Sequence, residues 1–357
     1  MAITFGDVAN PSNITTYLDS VFAQSLANYR KKLTDNIGAD NAFLNKLIKS
    51  EMYESANGGT YIAEPLMYQL APMDSYDGYD ELSTLPTDGI TEAIYEWRQL
   101  ATPIAYSLKE VIQNEHKIID LVKSRIMQGE MGIQEGFAIQ LMQGSGAGAL
   151  ATPKVSGVNG STGLEPIAKI IAYTPTNVVG NLDSNTLTWW KNKTKTSSAT
   201  TYDAFLLELM NLRNSCALGS GGGPDLLLLD QTSYELFNFA WYHRYRASLP
   251  SDQTVPFENV KWGNMTVVMD EKVPDVSGNL VVTTTKGSGF FINSKFFKLR
   301  YHPSRNFEML KDENGKTFAK PINGDSRVGH IGWMGNLTCN NRRKQGVIGN
   351  IARTLTV

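Results

Sequence analysis

Between Lys49 and Arg98 the chain has no lysine or arginine, while ten acids fall in that gap, from Glu51 and Glu54 through Asp77, Asp80 and Glu81 to Glu96. Helical periodicity is absent there, and Gly, Pro, Tyr and Asp recur. About fifty residues is far beyond the roughly 15 at which an unstructured connection becomes uncommon, so the segment must carry structure of its own. Its two flanks, "GGTYIAEPLMYQLAP" and "TEAIYEWRQLATPIAYS", have strand character. The acidic, turn-rich "DSYDGYDELSTLPTDG" lies between them as a tip. Two strands alone are marginal in water, so such a ribbon needs a surface to rest on.

On either side the chain reads as helix. From Ile14 to Ser50, Leu18, Val21, Phe22, Leu26 and Tyr29 follow a 3-4 spacing, and Phe43, Leu44, Leu47 and Ile48 follow another. This is an amphipathic arm. After the ribbon a long helix is expected from Ser107 to Gln143, with Ser107 as N-cap and Glu110 completing a capping box. Gly129, Gly132 and Gly136 in its second half predict a bend, a break or close backbone packing.

The stretch "CALGSGGGPDLLLLDQ" has the glycine content of a phosphate-binding loop but the opposite order. A helix precedes the glycines, with Phe205, Leu206, Leu209, Leu212 and Cys216 at helical spacing, and Gly219 is placed to close it. A phosphate loop runs from strand to helix, so these glycines form a helix-to-strand corner. "LLLL" then reads as a strand buried on both faces, and "TSYELFNFAWYHRYR" as a helix capped by Thr232 or Ser233. Asp225 and Asp230 flank the leucine strand, but a separation of five places them on opposite faces, with no nucleophile or histidine set beside them.

Several function classes are disfavoured. Thirty-three basic against 35 acidic residues leave a net charge of −2, which provides no bulk electrostatic grip on a polyanion. His116, His243, His302 and His330 are scattered, and Cys216 and Cys339 have no metal-ligand spacing; both thiols are expected as reduced, small apolar residues. No apolar run approaches the roughly 20 residues of a spanning helix, and the opening "MAITFGDVANPSN" lacks a secretory pattern. Trp189 and Trp190, beside Lys191, Lys193 and Lys195, invite a stacking platform for nucleic acid. The favoured reading is plainer: one tryptophan buried, the other under a lysine stem. Charge is nonetheless uneven, because from Lys295 onward twelve Lys and Arg face only Glu308, Asp312, Glu313 and Asp325.

This order of parts resembles the major capsid proteins of tailed bacteriophages, the HK97-like fold, over nearly the whole chain. The resemblance is carried by the arm, the ribbon, "YSLKEVIQNEHKIIDLVKSRIMQG" as a spine helix, and helix–"GGGPDLLLLDQTSYELF"–helix as an axial domain. "VKWGNMTVVMDEKVP", "SGFFINSKFFKLRYHP" and "HIGWMGNLTCNNRRKQGVIGNI" supply the remaining strands. It implies an α+β chain divided into an N-terminal arm (1–50), an extended loop (51–105), a peripheral domain with spine helix and following loop (106–200), an axial domain (201–285) and the closing strands of the peripheral domain (286–357). It also implies a non-enzymatic structural protein without cofactors that assembles with itself into hexamers and pentamers of an icosahedral shell around double-stranded DNA. A separate scaffolding protein, a portal and a decoration protein would be its partners, and the host cytoplasm and then the virion its location. An encapsulin-like compartment shell is the alternative, and an enzyme with an unrecognised site a remote one.

In that fold the extended loop of one subunit crosses its neighbour. The expected inter-subunit contacts are therefore the acids Asp77, Asp80 and Glu81 and the apolar anchors Tyr61, Leu66, Tyr68, Ile94, Tyr95 and Trp97 beside Arg98. They would meet Arg300, Arg305, Arg342, Arg343 and Lys344. Some members of the family weld subunits through a lysine of this loop; no lysine is present here, so that crosslink is expected to be absent.

Overall fold

The computed structural model describes residues 43, 47, 52–81, 88–113, 121–143, 163–244, 260–274, 286–311, 315–321 and 324–356. Most of the predicted arm, the small-residue loop after Gln143 and the polar stretch 248–259 lie outside the described residues. Helix and strand are mixed, as the α+β reading requires. Two compact units are present: one contains Thr102–Ile133 and Met309–Ile331, the other Asp40–Ala101, Gln134–Glu308 and Gly332–Val357.

Phe43 and Leu47 are helical, and the elements that follow among the described residues are β1 (Tyr53–Ser55), β2 (Ile62–Met67), β3 (Ile90–Tyr95) and β4 (Arg98–Ser107), then the helices α1 (Leu108–Gln113) and α2 (Leu121–Gln143). The expected capping box forms at Ser107. Its Oγ accepts from Lys109 N at 3.3 Å, and Glu110 Oε2 accepts from Ser107 N at 3.1 Å. Residues 114–120, between the two helices, lie outside the described residues, and α2 runs through Gly129, Gly132 and Gly136 without a break. Within the first unit, Leu108 N donates to Asp325 O, and Tyr106 packs edge-on to Phe318 with centroids 5.3 Å apart.

The short helix α3 (Ile167–Ile170) and a hairpin of β5 (Val178–Val179) and β6 (Leu182–Asp183) come next. Then follow β7 (Lys193–Thr196), α4 (Tyr202–Ala217), β8 (Leu226–Leu229) and α5 (Gln231–Arg244). The remaining strands are β9 (Val260–Trp262), β10 (Met265–Met269), β11 (Gly287–Ile292), β12 (Phe297–Met309), β13 (Ser326–Cys339) and β14 (Gly346–Ile351). They form a six-stranded sheet in the order β7-β14-β11-β8-β10-β9, a four-stranded sheet β1-β12-β13-β4, and two two-stranded sheets, β2-β3 and β5-β6. The six-stranded sheet crosses the divisions drawn at 200/201 and 285/286, because β7, β11 and β14 pair into the same sheet as β8.

The four leucines of β8 explain themselves once the sheet has two covered faces. Leu227 and Leu229 pack with Phe205, Leu209, Leu212, Phe237 and Phe291 in one cluster. Leu226 and Leu228 point to the other, with Phe290, Ile292, Val347 and Trp190. Each buried leucine is worth about 1.5–3 kcal/mol against its exposed state, and alternation sends that gain to both sides of the strand.

The glycine corner is a helix-to-strand turn. Gly219 takes a left-handed φ of 90° just past the end of α4, as a residue closing a helix must, and Gly221 and Gly222 are left-handed as well. One detail differs from expectation. The cap of α5 is Asp230, not Thr232 or Ser233: its Oδ2 accepts from Ser233 N, and Tyr234 N makes the first helical bond to Asp230 O at 2.9 Å. The helix starts directly after Asp230, so its carboxylate is the group in reach of the free amides, and its negative charge suits the positive end of the helix.

Candidate subunit interface

The ribbon forms as the alternation predicts. β2 and β3 pair antiparallel with Ile62 opposite Tyr95, Glu64 opposite Ala93 and Leu66 opposite Thr91. One face of this root is inward: Ile62, Glu64, Leu66, Ala93 and Tyr95 are all buried. Ala63, Pro65 and Met67 of β2, with Ile90 and Glu92 of β3, are exposed on the other. Leu66 and Tyr95, expected as contacts to a neighbour, therefore pack into the subunit's own core. The Tyr95 hydroxyl donates to Cys339 O at 2.8 Å and accepts from Cys339 N, and burial pushes its pKa well above the usual 10.0.

Glu64 is an acid on the buried face, and its charge is met within the chain. Glu64 Oε1 accepts from Arg300 Nε at 3.1 Å and from Thr338 Oγ1 at 3.0 Å. Arg300 Nη1 also reaches Glu54, which Lys298 approaches to 2.9 Å. The Lys298 ammonium, and then Arg300, hold the Glu54 carboxyl below its ordinary range. Part of the acid–base complementarity expected between subunits is thus satisfied inside one, and Arg300 is already engaged.

Two more expected contacts are internal. Arg342 is 0% exposed and Lys344 only 3%. The Lys344 ammonium donates to the carbonyls of Ala217, Leu218 and Gly219, capping the C-terminus of α4, where a cation meets the negative end of the helix. The Arg342 guanidinium donates to Ile170 O, Ser184 Oγ, Asn177 Oδ1 and Asn192 Oδ1. Neither group has a free donor face for a neighbour. Both are withdrawn from the contact set, because backbone carbonyls and neutral amides inside the chain already satisfy them. Arg343, between them, is exposed.

The remaining residues lie nearer the surface. Tyr61 is exposed, and Ile94 is half-buried. Trp97 donates from Nε1 to Gly59 O at 2.9 Å and sits edge-on to His302. Arg98 pairs with Glu96 at 3.0 Å, and Arg305 Nη1 donates to Gln99 Oε1 at 2.8 Å. Tyr68 stacks on Trp189 with centroids 5.1 Å apart, so the ribbon helps to cover Trp189. Trp190 is the buried member of the pair, as expected, and donates to Val179 O at 3.0 Å.

Beyond Tyr68 the character changes. Every described residue of the tip from Gln69 to Glu81 is exposed. Asp77, Asp80 and Glu81 lie there, with Asp80 N bonded to Asp77 O at 2.8 Å in a tight turn and Asp77 N bonded to Asp80 Oδ2. Around them stand Leu70, Met73, Tyr76 and Tyr79, with Met73 95% exposed and Tyr79 wholly so. The spacing of these four is three, which fits neither the helix nor the strand period. The usable signal was the triplet itself: Met73-Asp74, Tyr76-Asp77 and Tyr79-Asp80 each put a large apolar side chain before an acid.

The aspartates flanking the leucine strand each accept from several donors among the described residues: Asp225 from Ser294 N and Oγ, and Asp230 from Ser233 N, Ser288 N and Arg353. Cys216 and Cys339 are free, buried thiols that burial pushes up to about 12. Among the described residues no group of three His, Cys, Asp or Glu side chains could hold a metal, and no helix is long and apolar enough to cross a membrane.

No protein-family model matches the sequence, and no curated protein matches it either. Solved structures do match in fold. The cyanophage A-1(L) capsid asymmetric unit aligns with a TM-score of 0.66 at 13% identity, over 91% of this chain and 97% of that one. The holo-SrpI encapsulin complex of Synechococcus elongatus PCC 7942 aligns with a TM-score of 0.56 at 12% identity, over 94% and 97%. Gordonia phage Cozz gives 0.53 at 12% identity over 98% of both chains. The chain has the HK97-like fold of tailed-phage capsid proteins, matched over 91% of its length by the first of these structures.

Proposed function

We propose that this chain is a structural shell subunit, a major capsid protein that assembles with itself into hexamers and pentamers around double-stranded DNA. The observation that carries the reading is the divided ribbon, on a fold shared with capsid chains over more than nine-tenths of its length. One face of its root is sealed into the subunit core, while its tip holds Leu70, Met73, Tyr76 and Tyr79 in water beside Asp77, Asp80 and Glu81. Large exposed side chains on a projecting segment favour a partner that covers them. A head-to-tail contact repeated around a ring gives each subunit one tip and one receiving face. Exposed Arg305 and Arg343 are the cations of the expected set available to receive the acids, which would set register and association rate more than affinity. Scaffolding, portal and decoration proteins belong to the same reading, as do the host cytoplasm during assembly and the virion afterwards.

The test is assembly of the full chain, followed by light scattering and negative-stain microscopy at low and high salt. Rings or shells that salt weakens, and that are lost on reversing Asp77, Asp80 and Glu81 to Lys, are the expected result. Assembly untouched by that reversal would refute the docking of the acidic tip. A second reading, a compartment shell around protein cargo, is favoured by the match to the encapsulin structure. Nucleic acid inside particles purified from cells producing the phage supports the first reading, and a protein cargo the second.

A further inference from the structure

The buried guanidinium of Arg342 has no carboxylate partner among its hydrogen bonds, which is unusual for a fully desolvated cation. Its acceptors converge on one small feature. Asn177 and Ser184 bracket the β5–β6 hairpin, Ile170 ends α3, and Asn192 follows Trp190, over whose ring the guanidinium lies at 5.8 Å. Trp190 in turn donates to Val179 O inside the same hairpin. The hairpin turn then touches the ribbon. Gly180 O accepts from Ile94 N at 2.9 Å, and a Cβ on Gly180 would come within 2.8 Å of Ala93 Cβ and 3.2 Å of the Tyr95 ring. Gly180 also has a left-handed φ of 60°. Only glycine satisfies both the turn and the close approach.

We infer that Arg342 is a positioning residue for the ribbon: its forked donors hold the β5–β6 hairpin as a strut beneath β3, which fixes the root in its own subunit. The consequence for assembly, resting on the shell reading above, is that the inward face of the root is closed to a neighbour, which is left the tip from Gln69 onward and the outer face of the root at Met67 and Ile90. Charge does not perform this role. Four separate acceptor groups at different positions call for the planar guanidinium, which a lysine ammonium on a single point cannot replace.

Amide hydrogen exchange on the dissociated full-length subunit tests this directly. In the double variant Asn177→Ala/Ser184→Ala, exchange at Ile94 should rise about tenfold or more while the leucine strand Leu226–Leu229 stays protected, the signature of local rather than global opening. Arg342→Met should do the same, and Arg342→Lys should resemble Arg342→Met. Should the Arg342 variants fail to fold, the double variant decides alone. A loosened hairpin with Ile94 still protected would overturn the inference. So would equal loosening of Leu226–Leu229, or full protection in Arg342→Lys. Because exchange is read on dissociated subunits, its failure is separate from a failure to form shells.

Discussion

Root and tip of the ribbon are continuous in sequence and opposite in physics. In the root, alternate residues of two paired strands are buried, and each polar group on that face has a partner: Glu64 with Arg300 and Thr338, Tyr95 with Cys339. In the tip, no described side chain from Gln69 to Glu81 is buried, and the large apolar ones are as open as the acids. The difference teaches where binding free energy is still available. Surface already buried in the subunit cannot be buried again on a neighbour, whereas the tip's apolar area remains in water.

The comparison can be broken at several points. Tyr95→Ala should be the most damaging, lowering subunit stability by about 3–5 kcal/mol in urea unfolding, the range for removing a large buried aromatic. A loss under about 1 kcal/mol would place Tyr95 outside the core, in the smaller range of surface changes.

A pH series gives the next largest effect. Asp270, 2% exposed, accepts from Lys272 N and from Phe43 N, and burial pushes its carboxyl from 3.8 up to about 6. The folded chain therefore binds this proton more tightly than the unfolded chain. The destabilisation from keeping Asp270 charged, about 3 kcal/mol, is full above pH 6 and fades as pH falls toward 4. Subunit stability should lose that component between pH 4 and 6, and Asp270→Asn should flatten the profile by the same amount. A parent and variant with parallel profiles would contradict it.

Glu64→Gln comes third. It keeps the shape of the inward position but weakens the bond to Arg300, and should cost about 1.5–3 kcal/mol of subunit stability, as for a hydrogen bond to a charged group. Met73→Ser in the tip should be neutral within about 0.5 kcal/mol, as for surface sites without buried contacts. These two variants sharpen the root-to-tip boundary: a tip substitution as damaging as Glu64→Gln would show that the tip also packs in its own subunit.

Much of the architecture was legible in the letters because it follows periods. Ile62, Leu66, Ala93 and Tyr95 alternate, Phe205 to Cys216 recur at helical spacing, and Ser107 with Glu110 announces a cap. Gly219 closes its helix where composition and order placed it. What stayed hidden were charges turned inward. Glu64 occupies an inward strand position that a period-two pattern assigns to an apolar residue, and its partners Arg300, 236 positions away, and Thr338, 274 away, explain it. Arg342 and Lys344 flank the exposed Arg343 in one basic run. The run reads as surface until α4 and the β5–β6 hairpin supply the carbonyls and amides that make burial possible. Asp230 was hidden for a milder reason, since two hydroxyl residues follow it and each is an acceptable cap by type.

The central claim is that the tip, free in the subunit, is the part that joins subunits. The most direct measurement is the particle mass of the full-length Met73→Ser/Tyr76→Ser/Tyr79→Ser variant beside the parent, by light scattering, with thermal unfolding of both recorded in dissociating salt. The account predicts a variant that melts with the parent yet remains in small species under conditions where the parent forms rings or shells. Parent-sized particles from the variant would contradict it.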